Sequence, residues 1–242
     1  MNMKTEIEQH GQRFVWVVGY PRSGNTWLNY LCAYCLNLPF SGFDDRAKVP
    51  KQDWVRQAVS GQNSWPSPAG FQAVRKTHKL PAQVPFQNGK VIYVQRDPRD
   101  VFVSHSYYMK NRAANSLRKY RYQLLALGGR RLQMRWFLFE WKQHVSAWRQ
   151  HAHVVISYES LQSERGAYLA ASLQKAGFEV SKDIAEQAFD CFRFEKMTGG
   201  REAGQADTKS FFRSGIVGDW KNHLSEGDDE LFRRALSEFK FA

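Results

Sequence analysis

The chain has 242 residues, of which 43% are hydrophobic and 24% charged, a composition that excludes a disordered chain and fits one domain. Its apolar runs fall well short of the roughly 18 residues that a membrane-spanning helix needs. With 35 Lys and Arg against 23 Asp and Glu, the formal charge is +12, which points to an anionic partner: nucleic acid, a membrane surface, or a phosphorylated or sulfated small molecule.

The first residues, MNMKTEIEQHGQRF, are polar and lack the basic-then-apolar layout of a secretory signal. Cys32, Cys35 and Cys191 are too few for a disulfide framework or a four-cysteine zinc site, so a reducing, cytoplasmic setting is expected. FVWVVG (14–19) is a continuous apolar run, as in a buried parallel strand. A Gly/Pro/Ser turn follows, then a helix over about 26–37 with Leu28, Leu31, Cys32 and Cys35 on one face. The Cys32/Cys35 spacing therefore reads as a core pair before a redox pair. Residues 38–70 hold Pro39, Pro50, Pro66 and Pro68 with Phe43, Trp54 and Trp65; they read as irregular, a lid or pocket wall. Strands are predicted at 73–77 (AVRKT), 90–95 (KVIYVQ) and 153–158 (HVVISY). Helices are predicted from Pro98, over 130–151, 159–177 and 181–192, and over 226–240 after a Gly-rich loop at 199–218. Strands alternating with helices specify an α/β fold around a parallel sheet.

The first strand runs into Gly19-Tyr20-Pro21-Arg22-Ser23-Gly24-Asn25-Thr26, the spacing of a Walker A phosphate loop with Asn25 where lysine belongs. Glycines let successive N–H groups converge on an anion, and the helix N-terminus adds partial positive charge. Without the lysine that serves the β- and γ-phosphates, and with Arg22 as the loop cation, the pattern suits a phosphate group lacking a γ-phosphate. A plain strand-to-helix turn is the alternative.

The 90–95 strand leads into Arg96-Asp97-Pro98, with Asp97 and Pro98 suited to open a helix and Ser104 two turns along it. A parallel sheet gathers ligands beyond the carboxyl ends of its strands, so Arg96 and the first loop are expected on one rim, where a guanidinium and a hydroxyl suit a phosphate monoester. The 73–77 strand ends in Arg75-Lys76-Thr77-His78-Lys79, and a histidine there, with an ordinary pKa of about 6.5, is the candidate general base. Near the C-terminus, FFRSGIVGDWKN (211–222) sets Gly215 and Gly218 beside Arg213 and can form a third anion clamp. Taken singly, each of these also reads as a salt bridge, a surface histidine or a loop. No H-x-x-x-H zinc pattern occurs.

Together the stretches YPRSGNTW (20–27), KTH (76–78), RDPRDVFVSHSYY (96–108) and RSGIVGDWKN (213–222) stand in the order of one family. The chain resembles the sulfotransferases that use 3′-phosphoadenosine-5′-phosphosulfate (PAPS), most closely the cytosolic type. The resemblance implies a P-loop-containing three-layer α/β fold, a central parallel sheet flanked by helices. It implies one domain over 1–242, with its core at about 14–222 and a C-terminal helix at about 226–240. PAPS would be the sulfo donor and 3′-phosphoadenosine-5′-phosphate (PAP) the product, with no metal. Arg22, Ser23, Gly24, Asn25 and Thr26 would hold the 5′-phosphosulfate, with Trp27 against the adenine. Arg96 and Ser104 would bind the 3′-phosphate with Arg213, Ser214 and Gly215. Phe194, in FRFEKM (192–197), and Tyr158 would lie at the base. His78 would be the catalytic base, assisted by Lys76 and Arg22.

The chain departs from the family pattern at Arg22, where lysine is frequent, and at Phe192 and Arg193, where small hydroxyl residues are common. Its tail lacks the Lys-Thr-Val-Glu dimer pattern, so the oligomeric state stays open. A P-loop kinase or NTPase would need lysine at Asn25 and an acidic magnesium ligand. A nucleic-acid binder fits the charge but lacks a reader motif. A non-reactive binding module conflicts with the Lys76–His78 pair. The acceptor would be a small molecule, natural product or glycan, through a hydroxyl or an amine, with neither nucleic acid nor a membrane span involved. Residues 101–139 carry no Asp or Glu but Lys110, Arg112, Arg118, Lys119, Arg121, Arg130, Arg131 and Arg135, which suits either a solvated basic face or an entry surface for a polar or anionic acceptor.

Overall fold

The computed structural model describes residues 13–42, 52–110, 123, 127–208, 210, 212–237 and 239. In chain order its elements are β1 (Arg13–Val18), α1 (Asn25–Cys35), β2 (Phe40–Gly42), α2 (Asp53–Ala58), β3 (Phe71–Thr77), β4 (Lys90–Gln95), α3 (Pro98–Lys110), α4 (Arg130–Arg149), β5 (Val154–Ser157), α5 (Tyr158–Lys175), α6 (Lys182–Cys191), α7 (Phe194–Thr198) and α8 (Glu226–Ser237). The chain divides into two compact units, Met1–Gln95 with Ala147–Arg193, and Arg96–Ser146 with Phe194–Ala242.

The first unit holds a five-stranded sheet in the order β2-β3-β1-β4-β5, with every described pairing parallel. β1 is central, which is why its sequence is apolar without alternation: both faces of the strand are covered. From β1 the chain builds β2 and β3 to one side and β4 and β5 to the other. The carboxyl end of β1 is therefore a switch point, where a parallel sheet leaves a crevice for ligands.

Several elements differ from the sequence reading. The segment expected to be irregular contains β2 and α2. A three-residue strand has no periodicity to detect; β2 exists because Phe40 pairs with Val74 and Ser41 with Arg75. Residues 61–68 are fastened rather than lid-like. Asn37, with left-handed backbone (φ 48°), accepts the Asn63 N–H at 2.8 Å on its side chain, and Trp65 Nε1 donates to the Tyr34 carbonyl at 3.2 Å. Phe43 and Pro50 lie outside the described residues. Tyr158 opens α5 instead of ending a strand, because the Ser157 hydroxyl caps the helix by accepting the Ser160 N–H. The sequence also leaves out α7, a single short turn.

Cys32 and Cys35 are buried free thiols, and burial pushes both pKa values up, which suits core packing and not thiolate chemistry. In the second unit Phe102 meets Phe137 (5.3 Å between ring centroids) and Phe232 (5.8 Å), joining α3, α4 and α8. α8 starts with a reciprocal cap, each backbone N–H of Ser225 and Asp228 donating to the other's side chain at 3.2 Å. Among the described residues no helix is long and apolar enough to cross a membrane.

Candidate active site

In the first unit the loop after β1 has a backbone that fits an anion. Arg22 (φ 75°) and Gly24 (φ 96°) are left-handed on either side of Ser23. Such alternation turns successive N–H groups toward a common point. For Arg22 this backbone costs on the order of 1 kcal/mol or more. The Ser23 hydroxyl is buried, 1% exposed, and finds no hydrogen-bond partner among the described residues. A buried orphan hydroxyl in an anion-binding loop fits a phosphate or sulfo oxygen.

The register of the sheet delivers the histidine to this loop. Val18 of β1 stands opposite Thr77 of β3, so Gly19 and His78 leave the sheet side by side. His78 Nδ1 lies 2.8 Å from the Gly19 carbonyl. A carbonyl only accepts, so Nδ1 carries the proton and Nε2 is the basic nitrogen. Lys76, two residues back on the same strand face, donates from Nζ to Thr26 Oγ1 at 3.0 Å. Alternation sends Arg75 the other way, where its guanidinium lies over the Phe14 ring (3.5 Å). Burial lowers its pKa. The neighbouring cations Arg75 and Lys76 are thus divided between the two faces of β3.

Trp27 is fixed by a hydrogen bond from Nε1 to the Phe192 carbonyl (3.1 Å) and by edge contacts with Tyr158 (5.9 Å) and Phe189 (5.3 Å). Phe192, the first residue of the FRFEKM stretch, is buried among Tyr30, Tyr34 and Trp54, so it belongs to the core. Gly24 touches the buried Tyr158 ring: a Cβ there would lie 2.6 Å from Cδ2. Gly24→Ala combines this overlap with backbone strain and is expected to weaken PAP binding by roughly ten- to a hundredfold. Calorimetric titration checks it, and native affinity would mean that the ring yields.

The second unit carries the other anion-binding candidates. Arg96 donates from Nη2 to the Ile216 carbonyl (3.0 Å) and faces the Asp100 carboxylate at 3.7 Å. Asp100, 1% exposed, also accepts the Gly218 N–H (2.8 Å) and the Trp220 N–H (2.9 Å). Arg213 is buried; it pairs with Asp219 through Nη2, and its guanidinium carbon lies 5.1 Å from the Tyr107 ring centroid. Burial would raise the Asp219 carboxyl, but the hydrogen bond and charge of Arg213 outweigh it and hold the pKa below the usual value. Arg213 Nε is buried with no partner among the described residues, a donor directed to no protein acceptor. Ser104 and Ser214 are both buried. Gly215 (φ 68°) packs on Phe194 so closely that a Cβ would sit 2.5 Å from its ring, while Arg201 covers the ring at 5.3 Å.

Of the residues the sequence reading gathers at one donor site, Arg22, Ser23, Gly24, Asn25, Thr26, Trp27, Lys76, His78 and Tyr158 fall in the first unit. Arg96, Ser104, Phe194, Arg213, Ser214 and Gly215 fall in the second. It treats Arg96 and Arg213 as plain cations and misses their carboxylates. The i,i+4 spacing of Arg96 and Asp100 could reveal one pair; nothing local links Arg213 to Asp219. Arg201 is also missed: it binds the carbonyls of Gln205 (2.9 Å) and Arg213 (3.0 Å) and the Ser210 hydroxyl (2.9 Å), holding the Gly-rich loop together. Among the described residues no group of three or more His, Cys, Asp and Glu could hold a metal ion.

The sulfotransferase domain family matches residues 12–239. Amine sulfotransferase of Oryctolagus cuniculus is 26% identical, over 93% of this chain and 79% of the relative. The 3-alpha-hydroxysteroid sulfotransferase of Cavia porcellus is 28% identical, over 91% and 81%. In fold, the chain is similar to a mouse sulfotransferase complexed with PAP (TM-score 0.62, 19% identity, 93% of this chain and 84% of the other). It is also similar to retinol dehydratase in complex with retinol and PAP (TM-score 0.59, 17% identity, 93% and 80%).

Proposed function

We propose that this chain, which belongs to the sulfotransferase domain family and is a PAPS-dependent sulfotransferase, delivers the sulfo group to an acceptor hydroxyl whose proton His78 removes. The observation that carries this reading is the hydrogen bond from His78 Nδ1 to the Gly19 carbonyl, which makes Nε2 the proton acceptor beside the phosphate loop. PAPS supplies an electrophilic sulfur and a phosphate leaving group. The acceptor oxygen bonds to sulfur, the bond from sulfur to the bridging oxygen breaks, and His78 takes the acceptor proton. PAP and the sulfated acceptor leave.

The protein's part in the transfer is electrostatic and positional. Arg22, Lys76, Thr26 and the loop N–H groups stabilise charge developing on the bridging oxygen. Lys76 is held to Thr26, so its charge is in place before the reaction. Arg96, Ser104, Arg213, Ser214 and Gly215 take the 3′-phosphate; the orphan Arg213 Nε supports this role. Trp27 and Tyr158 take the adenine.

The acceptor is a small molecule with a hydroxyl, in line with the hydroxysteroid named for one relative and the retinol bound in one structural neighbour. The amine named for the other relative makes amines the second arm of the test. In the basic stretch one cation already has a carboxylate partner. Arg130 faces Asp228 at 3.6 Å, and Arg112, Arg118, Lys119 and Arg121 lie outside the described residues. Incubation with PAPS and a panel of phenols, steroid alcohols, primary alcohols, amines and disaccharides tests the reading. The expected result is a mass gain of one sulfo group on a hydroxylic acceptor, with one PAP per product. PAPS hydrolysis to free sulfate across the whole panel would overturn it.

A further inference from the structure

We infer that Asn25 is a positioning residue for the sulfo transfer: its buried amide holds the Gly19 carbonyl on which the His78 ring is oriented. The inference rests on the reading of His78 as the base. Two donors converge on that carbonyl, Asn25 Nδ2 at 2.9 Å and His78 Nδ1 at 2.8 Å. A carbonyl oxygen has two lone pairs, and these two donors use both.

Everything around Gly19 restrains it. A Cβ at Gly19 would lie 2.7 Å from both Cγ1 and the carbonyl oxygen of Val94, and 2.8 Å from Asn25 Nδ2. Asn25 is 3% exposed, and its own carbonyl accepts Asn29 Nδ2 at 2.9 Å inside the buried first turn of α1. The amide therefore has a fixed base and a fixed target. A lysine at this position of a phosphate loop reaches out to the phosphates. Asparagine is too short for that, and its N–H is committed to Gly19. In this loop the position supports the neighbouring histidine instead of reaching toward a phosphate.

The physical consequence concerns the imidazole. Rotation of the ring by half a turn exchanges Nδ1 with Cδ2 and Nε2 with Cε1, which would turn a carbon to the carbonyl and move the basic nitrogen off its direction. The Gly19 carbonyl opposes that exchange only while its own direction is held. Asn25 holds it from the helix side, and the β1–β3 register brings His78 to it from the strand side.

The test uses Asn25→Leu, which keeps the branched shape and removes the donor, with Asn25→Ala read the same way if the leucine variant does not fold. Both are measured in the full chain and in a His78→Ala background. The expected result is a roughly tenfold loss of kcat, the worth of one hydrogen bond, with acceptor KM and PAP affinity within about twofold of wild type. Histidine ring 15N spectra are expected to show His78 protonated at Nδ1 in the wild type and as mixed tautomers in the variant. In the His78→Ala background the Asn25 change should cost nothing further. Unchanged kcat with an unchanged tautomer overturns the inference. So does an equal loss in the His78→Ala background, or a loss of kcat matched by a loss of PAP affinity, which would make Asn25 part of the anion loop alone. Near-native turnover of His78→Ala alone would defeat the base reading, and the 15N spectra would still decide whether Asn25 orients the ring.

Discussion

His78→Ala is expected to lower kcat by roughly 10²-fold or more, the range of a lost general base, with PAP affinity unchanged. The ring adds little to the fold. It is half-buried at the end of β3, while the next residue inward, Thr77, is fully buried and holds the strand in register with Val18. Truncation therefore removes the proton acceptor and leaves the strand that positions Lys76. The Lys76–Thr26 hydrogen bond and the left-handed turns at Arg22 and Gly24 do not depend on the imidazole. Turnover is to be measured with saturating PAPS, and PAP affinity by calorimetry. A variant that keeps near-native kcat means another group takes the acceptor proton. One that loses kcat and PAP affinity together means the ring shapes the loop rather than the reaction.

Asp100→Ala is expected to weaken PAP binding by roughly 10²-fold, about 3 kcal/mol, and to lower the melting temperature. Two effects oppose each other here. Removing a carboxylate 3.7 Å from Arg96 strengthens the local positive potential, which by Coulomb's law alone favours an anion. Removing the acceptor of the Gly218 and Trp220 N–H groups releases the loop that also carries Arg213, Ser214 and Gly215. The ordering effect is the larger. Arg96 and Asp100 are beyond hydrogen-bond length, whereas both N–H bonds are short and one carboxylate holds the two ends of a tight turn. Asp100→Asn, which keeps one acceptor, should fall between wild type and alanine. Tighter PAP binding by either variant would show that Asp100 serves only as a counter-charge.

The residues that make the phosphate loop are contiguous, and their spacing is legible in the sequence. So are β1 and β4, whose uninterrupted apolar runs specify strands covered on both faces, and the amphipathic pattern that buries Cys32 and Cys35 in α1. The order of four motifs is likewise a property of the linear chain and suffices to point to the family and its donor. β2 is not legible, because three residues without alternation become a strand only when Val74 and Arg75 lie beside them. Nor are the carboxylates opposite Arg96 and Arg213: an aspartate looks the same in sequence whether it is solvated or closes a loop 118 residues away.

Local spacing thus determines which chemical groups the protein owns: an anion-binding turn, a lysine and histidine two apart on one strand face, and a set of arginines. Tertiary structure decides which of them meet. The pairing of Val18 with Thr77 puts the Gly19 carbonyl against His78 across 59 residues of chain and so selects the basic nitrogen. Burial then gives Arg213 its carboxylate and turns Arg75 into packing. The reason is physical: a hydrogen bond or ion pair depends on distance and direction to better than an ångström, and those are set by strand register and close packing rather than by position along the sequence.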